Sequence, residues 1–295
     1  MKIFQLRKKL SSLAPWEADC LLQLGCNNDK AFILAHPEYR LGFFELMKFY
    51  FALWKFKRGV PLAYISHHKE FYGLDFYVDK RVLTPRPETE LMVEETLKKI
   101  QETRHKKQGV LLIDVGTGSG CVPIAVLSAM KQWNNETMQV IATDISRRAL
   151  QVAKLNAKNH GVSINFLQGN LLEPVIDEIA SSSAKTPRND RRIVVTANLP
   201  YGWKAWKNNG SIETKRLNFE PQVALFTGEN GLELYRKLLE QIREIRNLKL
   251  EIIPSEFPIS NFQFPVSDFQ FHIFLEFDPR QTESLSNLIK TEVKS

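Results

Sequence analysis

The chain has 295 residues, 43% hydrophobic and 25% charged, a globular composition with ample apolar material for a core and no bias toward a disordered or fibrous chain. A formal net charge of +7 permits a polyanionic partner such as RNA without demanding one. Three cysteines, Cys20, Cys26 and Cys121, form no CxxC pair, and no apolar run approaches a membrane span or signal-peptide core, so the expectation is a reduced, soluble, cytoplasmic protein.

Residues 1 to about 60 read as helical. In "SSLAPWEADCLLQL", Ser11 or Ser12 can cap a helix, Pro15 suits its first turn, and Glu17 and Asp19 favour its positive end. In "FFELMKFYFALWKFKRG", Phe43, Leu46, Met47, Tyr50, Phe51 and Trp54 recur at three- and four-residue steps, Lys55, Lys57 and Arg58 load the last turn, and Gly59 can end it. Residues 1–70 are therefore expected to form a small helical domain. From about Val60 the pattern changes to short alternating runs with Gly73 and two close prolines, and residues 71–90 are expected to be an extended, hairpin-like linker.

Residues 91–295 follow a strand–helix alternation: "TELMVEETLKKI", "GVLLIDVG", "GCVPIAVLSAMKQW", "MQVIATDIS", "RRALQVAKLNAKNHG", "INFLQGN", "RIVVTANLPY" and "NGLELYRKLLEQIREI". That order predicts an α/β fold, a mainly parallel Rossmann-like sheet with helices on its faces. "SSSAKTPRNDRR" reads as a surface loop and the basic run at 104–107 as a solvated helix end.

The strand "VLLIDV" runs into Gly116, Thr117, Gly118, Ser119 and Gly120. Glycines at that place let the backbone turn sharply and approach a ligand, although a plain structural turn has the same look. The spacing is GxGxG, not the GxGxxG of dinucleotide binders, and no GK[ST] follows. The next strand ends at Asp144, where an acid can bond two ribose hydroxyls or simply cap the helix that follows. Glycine loop and acid together fit a nucleoside ligand without a pyrophosphate, as in S-adenosylmethionine. Asn170 and Leu171, after the third strand, can meet the adenine by hydrogen bonding and packing.

The fourth strand ends in Asn198, Leu199, Pro200 and Tyr201, on the carboxyl edge where ligands gather. Asn198 can accept one N–H of a planar amine through its side-chain oxygen. Pro200 biases Leu199 to an extended conformation, which aims the Leu199 carbonyl at a second N–H. Two fixed acceptors orient the amine and stabilise positive charge developing on nitrogen. Tyr201 offers a flat face for a conjugated amide or a base.

With these elements and the stretches "GVPLAYISHHKEFYGLDFYV", "VLTPRPETELMVE" and "NFEPQVALFTGENGLELYRKLL", the chain resembles the HemK/PrmC-type protein-(glutamine-N5) methyltransferases that modify peptide chain release factors. The resemblance implies a helical substrate-recognition domain on an S-adenosylmethionine-dependent methyltransferase domain of class I, acting on the glutamine of the Gly-Gly-Gln motif. It also implies that Gly116 to Gly120, Asp144, Asn170, Leu171 and Asn198 line the cofactor, while Asn198 to Tyr201 hold the glutamine. Two departures stand out. The family usually has NPPY, and Leu199 replaces its first proline; NLPY is more familiar from ribosomal RNA adenine methyltransferases, so RNA adenine is the alternative substrate. The Phe-rich stretch "KLEIIPSEFPISNFQFPVSDFQFHIFLEF" precedes the last helix, and the closing strand of the sheet is either missing or supplied by it. The unusual C-terminus motivates a further alternative, a non-catalytic relative that only binds translation partners.

Among other residues, Trp203, Lys204, Trp206 and Lys207 can grip a substrate or pack and solvate. Arg86, Glu88 and Glu90 suit a salt-bridged turn at the cofactor rim. His67 and His68 point oppositely on an extended segment, no ligand spacing for a metal is present, and Cys121 reads as a small core residue. The partners expected are a release factor and, transiently, RNA or the ribosome, with no membrane, and the protein is expected to act as a monomer.

Overall fold

The structure is a computed structural model describing residues 1–103, 109–131, 138–176, 191–203, 217–228, 230–245, 251–253, 259–265 and 270–294. Of the loop read at 181–192, residues 181–190 lie outside the described residues, as do the run at 104–107 and Lys204, Trp206 and Lys207, whereas Arg191 and Arg192 open a strand rather than closing a loop.

Five helices open the chain: α1 (Ile3–Lys9), α2 (Pro15–Cys26), α3 (Lys30–Ala35), α4 (Phe43–Lys57) and α5 (Leu62–Ser66). They share a core of their own, in which Leu6, Leu21, Leu22, Ile33 and Phe49 are almost fully buried. Neither Ser11 nor Ser12 caps α2. Ala14, held extended before Pro15, is the cap residue, and the Glu17 side chain takes the Ala14 N–H. On α4 the buried stripe is Phe49, Ala52 and Phe56, whereas Phe43, Met47, Phe51 and Trp54 of the stripe read from the sequence face solvent. Apolar residues on both sides of a helix give the same periodicity for either face, and only packing distinguishes them. Residues 62–66, read as extended, form α5 instead.

A hairpin of β1 (Lys69–Phe71) and β2 (Leu74–Phe76) follows, closed by Tyr72 and Gly73 with φ of 52° and 69°. Two positive φ angles make the tight turn whose twist suits a two-residue hairpin loop. Phe71, Phe76, Val78 and Val82 then pack onto the sheet domain, in one cluster with Met92, Ile124, Val126 and Phe274.

A short 3-10 turn at Pro87–Thr89 leads into α6 (Glu90–Thr103). The sheet strands are β3 (Gly109–Val115), β4 (Met138–Asp144), β5 (Asn165–Gln168), β6 (Arg191–Ala197), β7 (Glu251–Ile253), β8 (Ile259–Pro265) and β9 (Gln270–Glu276). Their order is β5-β4-β3-β6-β9-β8-β7. The first five in that order are parallel, and β8 and β7 add antiparallel pairs. The closing strands are thus all supplied by the Phe-rich stretch: β9 is its last strand, and β8 and β7, which precede β9 in the chain, lie outside it in the sheet.

Side chains alternate across the sheet. Ile113, Val115, Val195, Ala197, Ile273 and Leu275 face α9 (Glu233–Ile245) and α10 (Thr282–Lys294), where Tyr235, Leu238, Leu239 and Ile242 form a helical stripe. Leu112, Val140, Val194 and Phe274 face α6, α7 (Cys121–Lys131) and α8 (Arg147–Asn159). The result is the doubly wound α/β layer structure read from the sequence. Strand order reverses between β3's two neighbours, β4 and β6, and that switch point is where such sheets bind ligands.

Candidate active site

The loops leaving the carboxyl ends of β3, β4, β5 and β6 enclose a pocket of about 290 Å³, near the lower bound for small-molecule sites. Gly116, Thr117, Gly118, Ser119, Asp144, Asn170, Leu171, Asn198, Leu199 and Pro200 all line it. Gly120 and Tyr201 are not among the lining residues.

The glycine loop is shaped by backbone bonding. The N–H groups of Gly116 and Thr117 both donate to the Thr143 carbonyl at 2.9 Å. Gly118 has φ of 56°, and a Cβ there would meet nothing closer than the Gly116 carbonyl at 4.0 Å, so it would stand in the pocket space. Gly120 has φ of 79° for a different reason: a Cβ would lie 3.0 Å from Ile124 and 3.2 Å from Ala153, where α8 crosses the loop. Gly118 faces the pocket and Gly120 faces a helix.

Asp144 accepts the Gly118 N–H at 2.9 Å and the Ser146 N–H at 2.8 Å, one on each oxygen. Burial raises its pKa and these two amides oppose the shift. Each carboxylate oxygen keeps a lone pair for a further donor. The cap of α8 is Ser146, whose hydroxyl accepts from Ala149, and not Asp144. Asn170 donates from Nδ2 to Glu173 at 3.2 Å, which leaves its oxygen as the acceptor for an amine. Leu171 sits at φ of 57°, a left-handed conformation costly for a side-chain-bearing residue and found at ligand sites.

At the end of β6, Asn198 donates from Nδ2 to the Thr89 hydroxyl at 3.1 Å. The Leu199 carbonyl accepts from the Tyr235 hydroxyl at 3.1 Å, and that hydroxyl also lies against the Glu276 carbonyl. Tyr201 packs half-buried against the core on the α9 side, and burial pushes its phenol up to about 12. Cys121 is a core residue, its thiol pushed by burial up to about 12.

Several site residues carry little or no sequence signal. Asp114 lines the pocket, is 3% exposed, and accepts the Thr196 hydroxyl at 2.6 Å. Burial pushes its carboxyl up to about 6. Its one signal is an acid inside an otherwise apolar strand. Thr84 and Thr89 line the pocket from the "LTPRPETE" segment, and nothing in their spacing marks them. Arg86 pairs with neither Glu88 nor Glu90. Its Nη2 donates to both oxygens of buried Glu220 at 3.0 Å, joining "PRPETE" to "EPQVAL" across the pocket rim. Asn156 is also unforeseen: from α8 it bonds both backbone groups of Tyr77 and the Ser119 carbonyl, tying linker to glycine loop.

A protein-family model described as "Methyltransferase small domain" matches residues 89–181. A release factor glutamine methyltransferase of Koribacter versatilis is 34% identical over 227 residues, 77% of this chain and 73% of the relative. The enzyme of that name from Bacillus subtilis is 35% identical over 236 residues, 80% of this chain and 76% of the relative. The chain belongs to the release factor glutamine methyltransferase family. Among solved structures, a methyltransferase from Pyrococcus furiosus covers 77% of this chain and 79% of its own, at 16% identity and a TM-score of 0.38.

As a family member the chain is an S-adenosylmethionine-dependent methyltransferase, and the pocket suits that cofactor. Its floor opens where a Cβ on Gly118 would intrude, and the buried Asp114 carboxyl offers an anionic partner for an ammonium group. No helix among the described residues is long and apolar enough to cross a membrane.

Proposed function

We propose that the pocket holds S-adenosylmethionine through the glycine loop, Asp114, Asp144, Asn170 and Leu171, and that Asn198 to Tyr201 present the glutamine of a release factor Gly-Gly-Gln motif to it. Asp144 would take the ribose hydroxyls, the Asn170 oxygen the adenine amine, and Asp114 the ammonium of the methionyl part. When bound, the cofactor supplies an electrophilic sulfonium methyl.

The observation that carries this reading is the tether of the Asn198 NH₂ to Thr89, which frees its oxygen to accept an N–H of the incoming amide. A nitrogen so held gains positive charge as its new bond forms, and the carboxamide dipole stabilises that charge. The Leu199 carbonyl accepts from the buried Tyr235 hydroxyl, and its second lone pair would take the other N–H. No strong base is required, because the amide proton becomes acidic only as the methyl arrives. Tyr201 packs against the core beside Pro200 and does not line the pocket, so its proposed part is to anchor the end of the Asn198–Tyr201 tetrad.

The helical block of residues 1–70 is proposed to recognise the release factor, supported by the exposed apolar surface of Phe43, Phe44, Met47, Phe51 and Trp54 on α4. The charge of +7 supports transient contact with ribosomal RNA and, through self-repulsion, a monomer. Action in the cytoplasm fits three cysteines that are all unpaired.

The test is methyl transfer from labelled cofactor to a purified release factor. Transfer should vanish when the Gly-Gly-Gln glutamine is changed to Ala, and its survival would overturn the reading. Asn198→Ala should lower kcat by about a hundredfold with little change in cofactor affinity. A near-normal rate would remove Asn198 from its role.

A further inference from the structure

Glu276 is the last residue of β9 and takes no part in the mechanism above. Its predecessor Leu275 is registered with Ala197 on the parallel strand β6. Glu276 and Asn198 are therefore neighbours where the two strands end, both on the sheet face opposite Ala197 and Leu275. Glu276 is 5% exposed, its Oε2 has no hydrogen-bond partner among the described residues, and the side chains of Thr89 and Asn198 both face its carboxyl. A carboxyl buried in this way is costly to keep unless it holds something in place.

The need for such a group follows from the chemistry of Asn198. A carboxamide has an accepting end and a donating end of nearly equal shape, and only the oxygen can receive a substrate N–H. Thr89 alone cannot fix the choice, because a hydroxyl both donates and accepts. A carboxyl beyond the hydroxyl does fix it. If Thr89 donates its proton to Glu276, its oxygen is left as an acceptor, and the Asn198 NH₂ must turn toward it. In either protonation state Glu276 keeps an accepting oxygen.

We propose that Glu276 is a positioning residue that holds the NH₂ end of Asn198, directly and through the Thr89 hydroxyl, and so turns the carboxamide oxygen into the pocket. This rests on the role of Asn198 given above. Glu276 is not among the residues that line the pocket; its effect is to hold the donating end of the Asn198 carboxamide, and with it to set the fraction of molecules whose Asn198 is productive.

The test is steady-state methylation of release factor together with calorimetric binding of S-adenosylmethionine. Glu276→Gln keeps shape but restores ambiguity, since its amide both donates and accepts. Its kcat should fall roughly tenfold, less than deletion of Asn198 itself, while cofactor Kd stays within about twofold. Thr89→Val should give a loss no larger than that of Glu276→Gln, Thr89→Ser should restore most of the rate, and the Glu276→Gln/Thr89→Val pair should be no worse than the poorer single variant. A wild-type kcat for Glu276→Gln, a loss shared equally by cofactor binding, or independent additive losses would overturn the proposal. If Asn198→Ala is slow while Glu276→Gln is normal, only this inference falls. If Asn198→Ala is itself normal, the role of Asn198 falls first.

Discussion

Gly118 and Gly120 are two residues apart and both have positive φ, yet the structure assigns them different physical constraints, and alanine at each should separate them. At Gly120, alanine incurs about 1–2 kcal/mol for the left-handed backbone. Its methyl also lies 3.0 Å from Ile124 and 3.2 Å from Ala153, overpacking that adds about 1–3 kcal/mol. The sum is about 2–5 kcal/mol, or a fall in Tm of roughly 4–20 °C for a domain of this size. At Gly118 the backbone term is the same but nothing is closer than 4.0 Å, so stability should fall by only about 1–2 kcal/mol. There the methyl enters the pocket, and cofactor Kd should weaken by at least about tenfold, or ~1.4 kcal/mol. Thermal melts and calorimetric titration with S-adenosylmethionine read both quantities. If Gly120→Ala is as stable as Gly118→Ala, or Gly118→Ala binds cofactor as wild type does, the division of the loop into a ligand-facing and a helix-facing glycine is wrong.

His272 on β9 is buried, neither ring nitrogen has a partner among the described residues, and burial lowers its pKa from 6.5 to about 3. The unfolded chain takes up a proton below 6.5 and the folded one does not, so this residue's contribution is full above that pH and is lost as pH falls, by about 2 kcal/mol at pH 5. Asp114 and Glu276, with raised pKa values, act in the opposite direction. The measurement is therefore the difference in urea stability between wild type and His272→Leu at pH 7.5 and pH 5, and an unchanged difference refutes it. Glu220→Gln should destabilise by about 2 kcal/mol, below the value for a fully buried pair because the Arg86 side chain is 34% exposed. It should also weaken cofactor binding, since the pair closes the pocket rim; equal Kd values in a titration would separate rim from site. Tyr235→Phe should cost about 1–3 kcal/mol by leaving the Leu199 and Glu276 carbonyls unserved. Denaturant midpoints at constant slope check it, and an unchanged midpoint speaks against the bond.

Much of the site was legible because its parts are local. A strand that runs into GTGSG and an acid closing the next strand are patterns within a few residues, and so is the NLPY turn. Local backbone preference and strand order put them on one edge of the sheet. The two faces of the sheet were equally legible, as near-continuous apolar runs that only a strand covered on both sides tolerates.

What the chain could not reveal by itself is which distant residues meet. Arg86 and Glu220 are 134 positions apart, Asn198 and Thr89 are 109, and Asn156 reaches Tyr77 over 79. Each pair depends on loops from different crossovers converging, and no spacing encodes that. The same holds for α4, whose periodicity was right but whose buried face was chosen by neighbouring helices, and for the sheet's far edge, closed by a hairpin that precedes its neighbour in the chain. Local periodicity and turn chemistry set the elements and the edge on which ligands gather. Contacts between segments far apart in the chain decided which side chains are buried there, and burial is what turns an ordinary Asn, Thr or Glu into part of a site.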